Sequence, residues 1–343
     1  MTERVVISGA FDDPKVRLPF FEQIASALER DGLKVCRFNS FGWADHRSVI
    51  GKLAERLATV PGRLVGISKQ RIRTLLPWTS EGARANALVK AVQEFHPDTL
   101  VVISGYRYRA ETLGRCRRLG VRTQVGWWIE GPTDPASPED ESKLYDRYYC
   151  IHSEIAPAFE QKIRLLPAYA LDRENFYRMR FPRTPERRIV FVGGISDRRL
   201  RFFDALRSLP LELWGPGWSS VPSLAPLHRG DAIWGAPLNE LYNDAAIVLN
   251  MASWENHHVC MTQRIAEIPA SGAFMLTDAT PRGSEIFAPG VEMDTFATPL
   301  ELAAKCRHYL DHATEREAIA DRGYQRAQRL ADFAATARVL VGR

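Results

Sequence analysis

The chain has 343 residues, 45% hydrophobic and 25% charged, the balance of an ordinary globular protein with room for two domains. That balance excludes disordered, collagenous and disulfide-scaffold classes, and five cysteines with no C-x-x-C spacing argue against a structural zinc site. The net charge of +5 comes mostly from arginine, which suits phosphate and carboxylate, but it is diffuse and forms no aromatic-interleaved basic stripe, so a nucleic-acid partner is not expected. No apolar run reaches the roughly 18–20 residues of a membrane-spanning helix. The opening MTERVVISGA lacks the apolar core of a secretory signal. A cytoplasmic protein is the expectation, with peripheral contact at an inner membrane face as an accessory one.

Arg4 to Gly9, RVVISG, reads as a buried parallel strand ending in glycine. Phe20, Ile24, Ala27 and Leu28 share one helical face closed by Gly32, and LKVCRFN is the next strand, a βαβ order. Helices are expected at Val49–Leu57, Ile67–Leu75, Ala83–Phe95 and Ala110–Leu119. Strands are expected at Leu100–Ile103, Arg122–Ile129, Tyr148–Ile151 and Ile163–Leu166. The front half, 1–171, is thus one doubly wound α/β domain. Residues 172–187, polar and carrying Pro182 and Pro185, read as a linker.

The alternation then restarts over 188–325. RIVFVGG is a strand into a glycine pair, Asp197–Leu206 a helix, and LELWGPG a strand into a loop. Leu238–Asp244 is a short helix, Ala246–Asn250 a strand, Thr262–Ala270 a helix, and Ala273–Thr277 the last clear strand. Leu300–Leu310 and Glu315–Leu340 are closing helices, the segment 326–343 being placed to pack back on the first domain.

Three stretches carry candidate chemistry in the second domain. In FVGGISDRR, Gly193 and Gly194 join a strand to a helix whose N-terminus attracts anions, with Arg198 and Arg199 beside it; the plain alternative is a tight turn. In LWGPGW, Trp214 or Trp218 is placed to stack on a planar base, or else both are core residues around the turn at Gly215. In the third, Thr262 is an N-cap or phosphate ligand, Arg264 a bidentate donor to a diphosphate, and Glu267, one turn on, an acceptor for both hydroxyls of a ribose. An ordinary capped helix with a surface Arg–Glu pair is the alternative there.

The FVGG strand-loop, LWGPGW, HRG at 228–230, LNELYNDAAIVLN and TQRIAEIPASG, continued through PRGSEIF, resemble the CgeB-like glycosyltransferases, relatives of the group 1 glycosyl transferases. HPDTLVVISG, GWWIEGP, RYYCIHS and LLPAYALDRENF follow the same order more loosely in the front half. The resemblance implies a GT-B fold, two Rossmann-like domains with the donor held mainly by the second. It implies Glu267 on the donor ribose, Thr262 and Arg264 on the diphosphate, Gly193 and Gly194 at the phosphate or acceptor, and 214–218 with His228 at the base. It also implies no resident cofactor and no metal, with a UDP- or GDP-sugar as donor substrate. The acceptor would be a hydroxyl of a glycan, lipid-linked glycan, protein or small molecule. Two positions depart from the family: Cys260 stands seven before Glu267 where many relatives carry an acid, and Glu130-Gly131-Pro132 stands where several carry Asp before Pro. Retention and inversion both stay open.

An inverting reaction needs a base from the cleft. Glu130, behind two tryptophans that favour a raised pKa, and Asp13 rank level, with Asp12 competing as turn chemistry and His152 at a later strand end. His257 and His258 lie in the loop before the donor helix, as contacts to sugar or phosphate or else as plain loop histidines, and Glu255, further upstream, is a candidate for the acid that Cys260 replaces. A nucleotide-sugar epimerase or hydrolase of the same fold, or a non-catalytic two-lobed binding protein, is the second reading.

Overall fold

The computed structural model describes residues 2–11, 19–41, 80–104, 108–129, 138–152, 163–179, 185–253 and 262–343. The chain divides into two units, Met1–Leu166 with Phe333–Arg343, and Pro167–Asp332.

The first unit is built on a parallel sheet of β1 (Arg4–Gly9), β2 (Lys34–Asn39), β3 (Thr99–Ile103), β4 (Thr123–Trp128), β5 (Arg147–Cys150) and β6 (Ile163–Leu165), in the order β2-β1-β3-β4-β5-β6. Its central strands are the apolar runs of the sequence: Val5, Val6 and Ile7 of β1 and Leu100 to Ile103 of β3 are fully buried, as strands covered on both faces must be. Helices α1 (Pro19–Arg30), α2 (Ser80–Phe95), α3 (Ala110–Arg118) and the single-turn α4 (Pro138–Ser142) make the crossovers.

In the second unit β7 (Glu186–Val192), β8 (Leu211–Trp214), β9 (His228–Gly230), β10 (Ala245–Asn250), β11 (Met275–Asp278) and β12 (Asp294–Phe296) form a second parallel sheet, ordered β12-β11-β10-β7-β8-β9. Numbered within the unit, this is the 3-2-1-4-5-6 order of a Rossmann sheet, whose direction of winding reverses between β7 and β10. Helices α5 (Asp197–Asp204), α6 (Gly235–Asp244), α7 (Arg264–Ala270), α8 (Pro281–Ile286), α9 (Pro299–Asp311) and α10 (Ala313–Ala327) flank it. Phe191, Phe203, Leu213, Trp218, Leu249 and Leu276 centre one buried face; Val190, Tyr242, Val248, Ile265, Ile268 and Met275 centre the other.

Several expectations are corrected. The three-residue strands β9 and β12 were not anticipated. The single helix expected over Glu315–Leu340 is two, α10 and α11 (Phe333–Val341). They part because Leu171 N–H donates to Ala331 O and pairs with Asp332, drawing 328–332 out of helical geometry. Helix α11 packs on α1 within the first unit, tied by Arg338 to Asp31 at 2.7 Å and by Tyr149 Oη, which donates to Val339 O. The units divide at 166/167 and 332/333 rather than at 171 and 325. The start of the expected linker is bound into the second unit. Phe176 is buried in its core, and Tyr177 and Met179 N–H donate to Asn239 and Asn243 Oδ1. The helices expected at Val49–Leu57 and Ile67–Leu75 lie outside the described residues.

Candidate functional site

In a doubly wound sheet a ligand is received at the carboxyl edge where the strand order reverses, here the ends of β7 and β10. Strand β7 runs into Gly193 and Gly194. Gly193 has φ of +157°, and its N–H donates to Trp214 O at 2.7 Å. Gly215 has φ of +131°, and a Cβ there would stand 2.4 Å from Gly193 O, so only glycine lets the two loops touch. Trp218 completes the lacing: its indole N–H donates to Gly193 O at 2.8 Å while the fully buried ring packs against Phe191 and Phe203. For Trp218 this corrects the base-stacking expectation, because a ring with no exposed surface anchors the loop and cannot meet a nucleobase. Trp214 is half-buried, and His228 Nε2 lies 3.3 Å from the Asp231 carboxylate.

Three guanidiniums converge on these strand ends. Arg264, from the first turn of α7, donates to Val192 O (2.9 Å), Asn250 Oδ1 (3.2 Å) and Met251 O (3.3 Å). Arg199, 6% exposed, donates to Gly194 O (2.6 Å) and Met251 O (2.7 Å). Both lie over the Phe191 ring, at 5.4 and 4.9 Å. Lost hydration, reinforced by the charge of Arg264, pulls the Arg199 pKa down to about 9. Arg198 donates to Asp278 Oδ2 (2.8 Å) and Ala252 O (3.0 Å). Among the described residues only Arg198 of the three pairs with a carboxylate. Arg199 and Arg264 are held by carbonyl and amide oxygens, which fix their positions without cancelling their charge. Arg264 commits three of its five N–H donors this way, leaving two for a ligand.

Thr262 is not the N-cap expected for α7. Gln263 stands at the cap without a side-chain bond, and Thr262 Oγ1 donates instead to Asn250 Oδ1 at 3.1 Å. Gln263 is diverted as well, since its amide clasps Ala170 N–H and O. Asn250 thereby joins Thr262, Arg264 and Thr277, and with Asp278 it is a polar strand-end residue that sequence reasoning gave no role. A lone polar residue closing an apolar strand was the available signal.

Glu267 follows Arg264 by one turn and is half-buried. Its carboxylate accepts no hydrogen bond from the described residues. Burial pushes its pKa up to about 8, the Arg264 charge opposing and the Asp172 charge adding to the rise. A desolvated carboxyl with empty acceptor positions, near two guanidiniums that make no ion pair with a carboxylate among the described residues, at a sheet's switch point, is arranged to take hydroxyl donors and a phosphate chain.

In the first unit, His152 is 1% exposed, set edge-on to Trp128 at 5.8 Å. That burial makes it a core residue and corrects its expected role as a base open to an acceptor. Asp12, Asp13, Glu130, Glu255, His257, His258 and Cys260 lie outside the described residues.

Residues 198–342 match the family model described as glycosyl transferase-like. No curated protein sequence matches the chain. Among solved structures, sucrose-phosphate synthase from Thermosynechococcus elongatus is similar with a TM-score of 0.65 at 12% identity, over 99% of this chain and 98% of that one. Anabaena Alr3699/HepE in complex with UDP and glucose is similar with a TM-score of 0.61 at 12% identity, over 99% and 98%. A putative UDP-N-acetylglucosamine 2-epimerase from Listeria monocytogenes is similar with a TM-score of 0.56 at 12% identity, over 99% and 96%. The fold is that of GT-B glycosyltransferases, two parallel six-stranded sheets with flanking helices.

Proposed function

From the glycosyl transferase-like domain carried by residues 198–342 we infer that the protein is a glycosyltransferase, and we propose that it moves a sugar from a nucleotide diphosphate sugar to a hydroxyl acceptor. In that reaction the acceptor oxygen bonds to the anomeric carbon as the bond from that carbon to the diphosphate oxygen breaks. The hydroxyl proton leaves to a base, and the nucleotide diphosphate departs. The observation that carries the reading is the placing of Arg264 and Glu267 one turn apart at the reversal between β7 and β10, the guanidinium with donors to spare and the carboxylate accepting no bond from the described residues.

We assign the diphosphate to Arg264, aided by Thr262 and by the close approach that Gly193 and Gly194 permit, and the ribose hydroxyls to Glu267. Arg199 adds fixed positive charge behind Arg264, so developing negative charge on the leaving group is met by guanidinium rather than by a metal ion. The HepE structure, which holds UDP and glucose, makes a UDP-sugar the first donor to test. We further propose a CgeB-like affiliation, supported by the FVGG, LWGPGW, LNELYNDAAIVLN and TQRIAEIPASG stretches, the last of which supplies both residues.

The test is a thermal-shift screen against UDP, GDP, CMP and dTDP. At about 100 times its dissociation constant the matching nucleotide stabilises the fold by about 2.7 kcal/mol. Arg264→Gln and Glu267→Gln are expected to fold and lose that shift. If both bind every nucleotide as wild type does, or if wild type binds none, the assignment fails. Turnover of donor without acceptor would favour the epimerase or hydrolase reading.

A further inference from the structure

The carboxyl ends of β10 and β11 carry three buried polar side chains where apolar ones would fill the space as well. Asn250 and Thr277 are partners across the two strands, Asp278 follows on β11, and none of the three is more than 4% exposed. The residues just before them, Leu249 and Leu276, are fully buried leucines. Burying an amide, a hydroxyl and a carboxylate costs stability unless each finds partners, and these three bond in series. Asn250 Nδ2 donates to Thr277 Oγ1 at 3.1 Å, and Thr277 Oγ1 donates to Asp278 Oδ1 at 3.3 Å. Asp278 Oδ2 accepts from Arg198 at 2.8 Å and from Ala252 N–H at 3.2 Å. At the other end Asn250 Oδ1 accepts from Thr262 Oγ1 at 3.1 Å and from Arg264 Nε at 3.2 Å. An unbroken line of side-chain bonds thus joins Arg198 to Arg264.

The line has a direction, and the carboxylate sets it. A carboxylate paired with a guanidinium only accepts. Thr277 has one hydroxyl proton, and giving it to Asp278 leaves lone pairs to face Asn250. Asn250 must then turn its amide nitrogen to Thr277 and its oxygen to Thr262 and Arg264. With the amide flipped, its N–H donors would meet the Nε–H of Arg264, donor against donor, and the guanidinium would lose the contact that orients it. Among the described residues neither Thr277 nor Asp278 bonds to Arg264 itself; they act on it through Asn250.

We propose that Thr277 and Asp278 are positioning residues for Arg264: by fixing which way the Asn250 amide points, they hold the guanidinium in the orientation that meets a diphosphate. The proposal rests on the assignment of the diphosphate to Arg264 above, and extends the site to side chains that never touch the ligand.

Three variants at one position separate the hydroxyl from the space it fills. Thr277→Val keeps the volume and removes the hydroxyl, Thr277→Ser keeps the hydroxyl and removes a methyl, and Thr277→Ala removes both. By calorimetry, UDP affinity is expected to fall about tenfold in Thr277→Val and Thr277→Ala and to stay within about twofold of wild type in Thr277→Ser. Melting temperature should fall in all three, since each loses a packed methyl or a buried bond. Equal UDP affinity in all four proteins, or an affinity that follows melting temperature instead of the hydroxyl, overturns the proposal. Hydrogen exchange of the Arg264 Nε–H, followed by NMR without nucleotide, is the second measurement. It should be slow in wild type and Thr277→Ser and faster in Thr277→Val and Thr277→Ala; the same rate in all four also overturns the proposal. If exchange follows the hydroxyl but wild type binds no nucleotide, the positioning of Arg264 stands and the donor assignment fails. If Arg264→Gln abolishes UDP binding while Thr277→Val and Thr277→Ala bind as wild type does, the donor assignment stands and the positioning role fails.

Discussion

Replacing Glu267 by glutamine isolates the cost of burying a carboxyl beside the donor site. In the open chain this group ionises near 4.5; in the fold, burial moves it to about 8. The native state therefore holds its proton over a range in which the unfolded chain has lost it. Stability is then greatest below the unfolded value and falls as pH rises toward the folded one. At about 1.4 kcal/mol for each tenfold change in proton binding, the ceiling on this loss is about 5 kcal/mol above pH 8. Because the side chain is only half-buried, solvent screening should leave about 2 kcal/mol. Glutamine cannot ionise. Urea unfolding between about pH 5 and about pH 9 should show the Glu267→Gln advantage growing with pH to about 2 kcal/mol. The same variant should lose nucleotide-dependent stabilisation, most clearly above pH 8 where Glu267 is ionised, because an amide offers the two ribose hydroxyls one acceptor oxygen in place of two. Stability–pH profiles that run parallel for the two proteins would refute the argument, because they would mean that Glu267 ionises as it does in water.

Two substitutions probe the glycine-laced loops. Gly215→Ala places a methyl 2.4 Å from Gly193 O at a backbone angle that L-residues avoid, and chemical denaturation should show a loss of about 2–4 kcal/mol. Trp218→Phe removes the indole donor to Gly193 O and leaves a small void against Phe191 and Phe203; we expect a loss of about 2 kcal/mol with nucleotide affinity changed less than threefold, measured by calorimetry.

Most strands were legible because their apolar runs are nearly unbroken: β1, β3, β7 and β10 each bury a central stretch of valine, isoleucine or leucine. The strands that escaped, HRG at β9 and DTF at β12, have three residues and no such run; they are strands because β8 and β11 offer them backbone partners. The break after α10 is equally nonlocal, since its cause, Leu171, lies about half the chain away in sequence. Local chemistry named Arg264 and Glu267 correctly as neighbours on one helix. It could not show that Trp218 is sealed under phenylalanines, or that Asn250 draws Thr262 away from the cap, because both depend on residues brought together only by the fold. Arg199 was read as one more cation near a glycine turn; that it spans two strand ends emerges only once β7 and β10 lie side by side.

Helix α11 closes the first unit although 166 residues of the second come between them. During synthesis the first sheet can begin to form early, but the face of α1 that receives α11 stays uncovered until chain beyond residue 332 has left the ribosome. By then every residue of the second unit has already emerged, so the half that starts first is completed last, and a nascent chain stalled between the two carries an open apolar groove of the kind that chaperones protect.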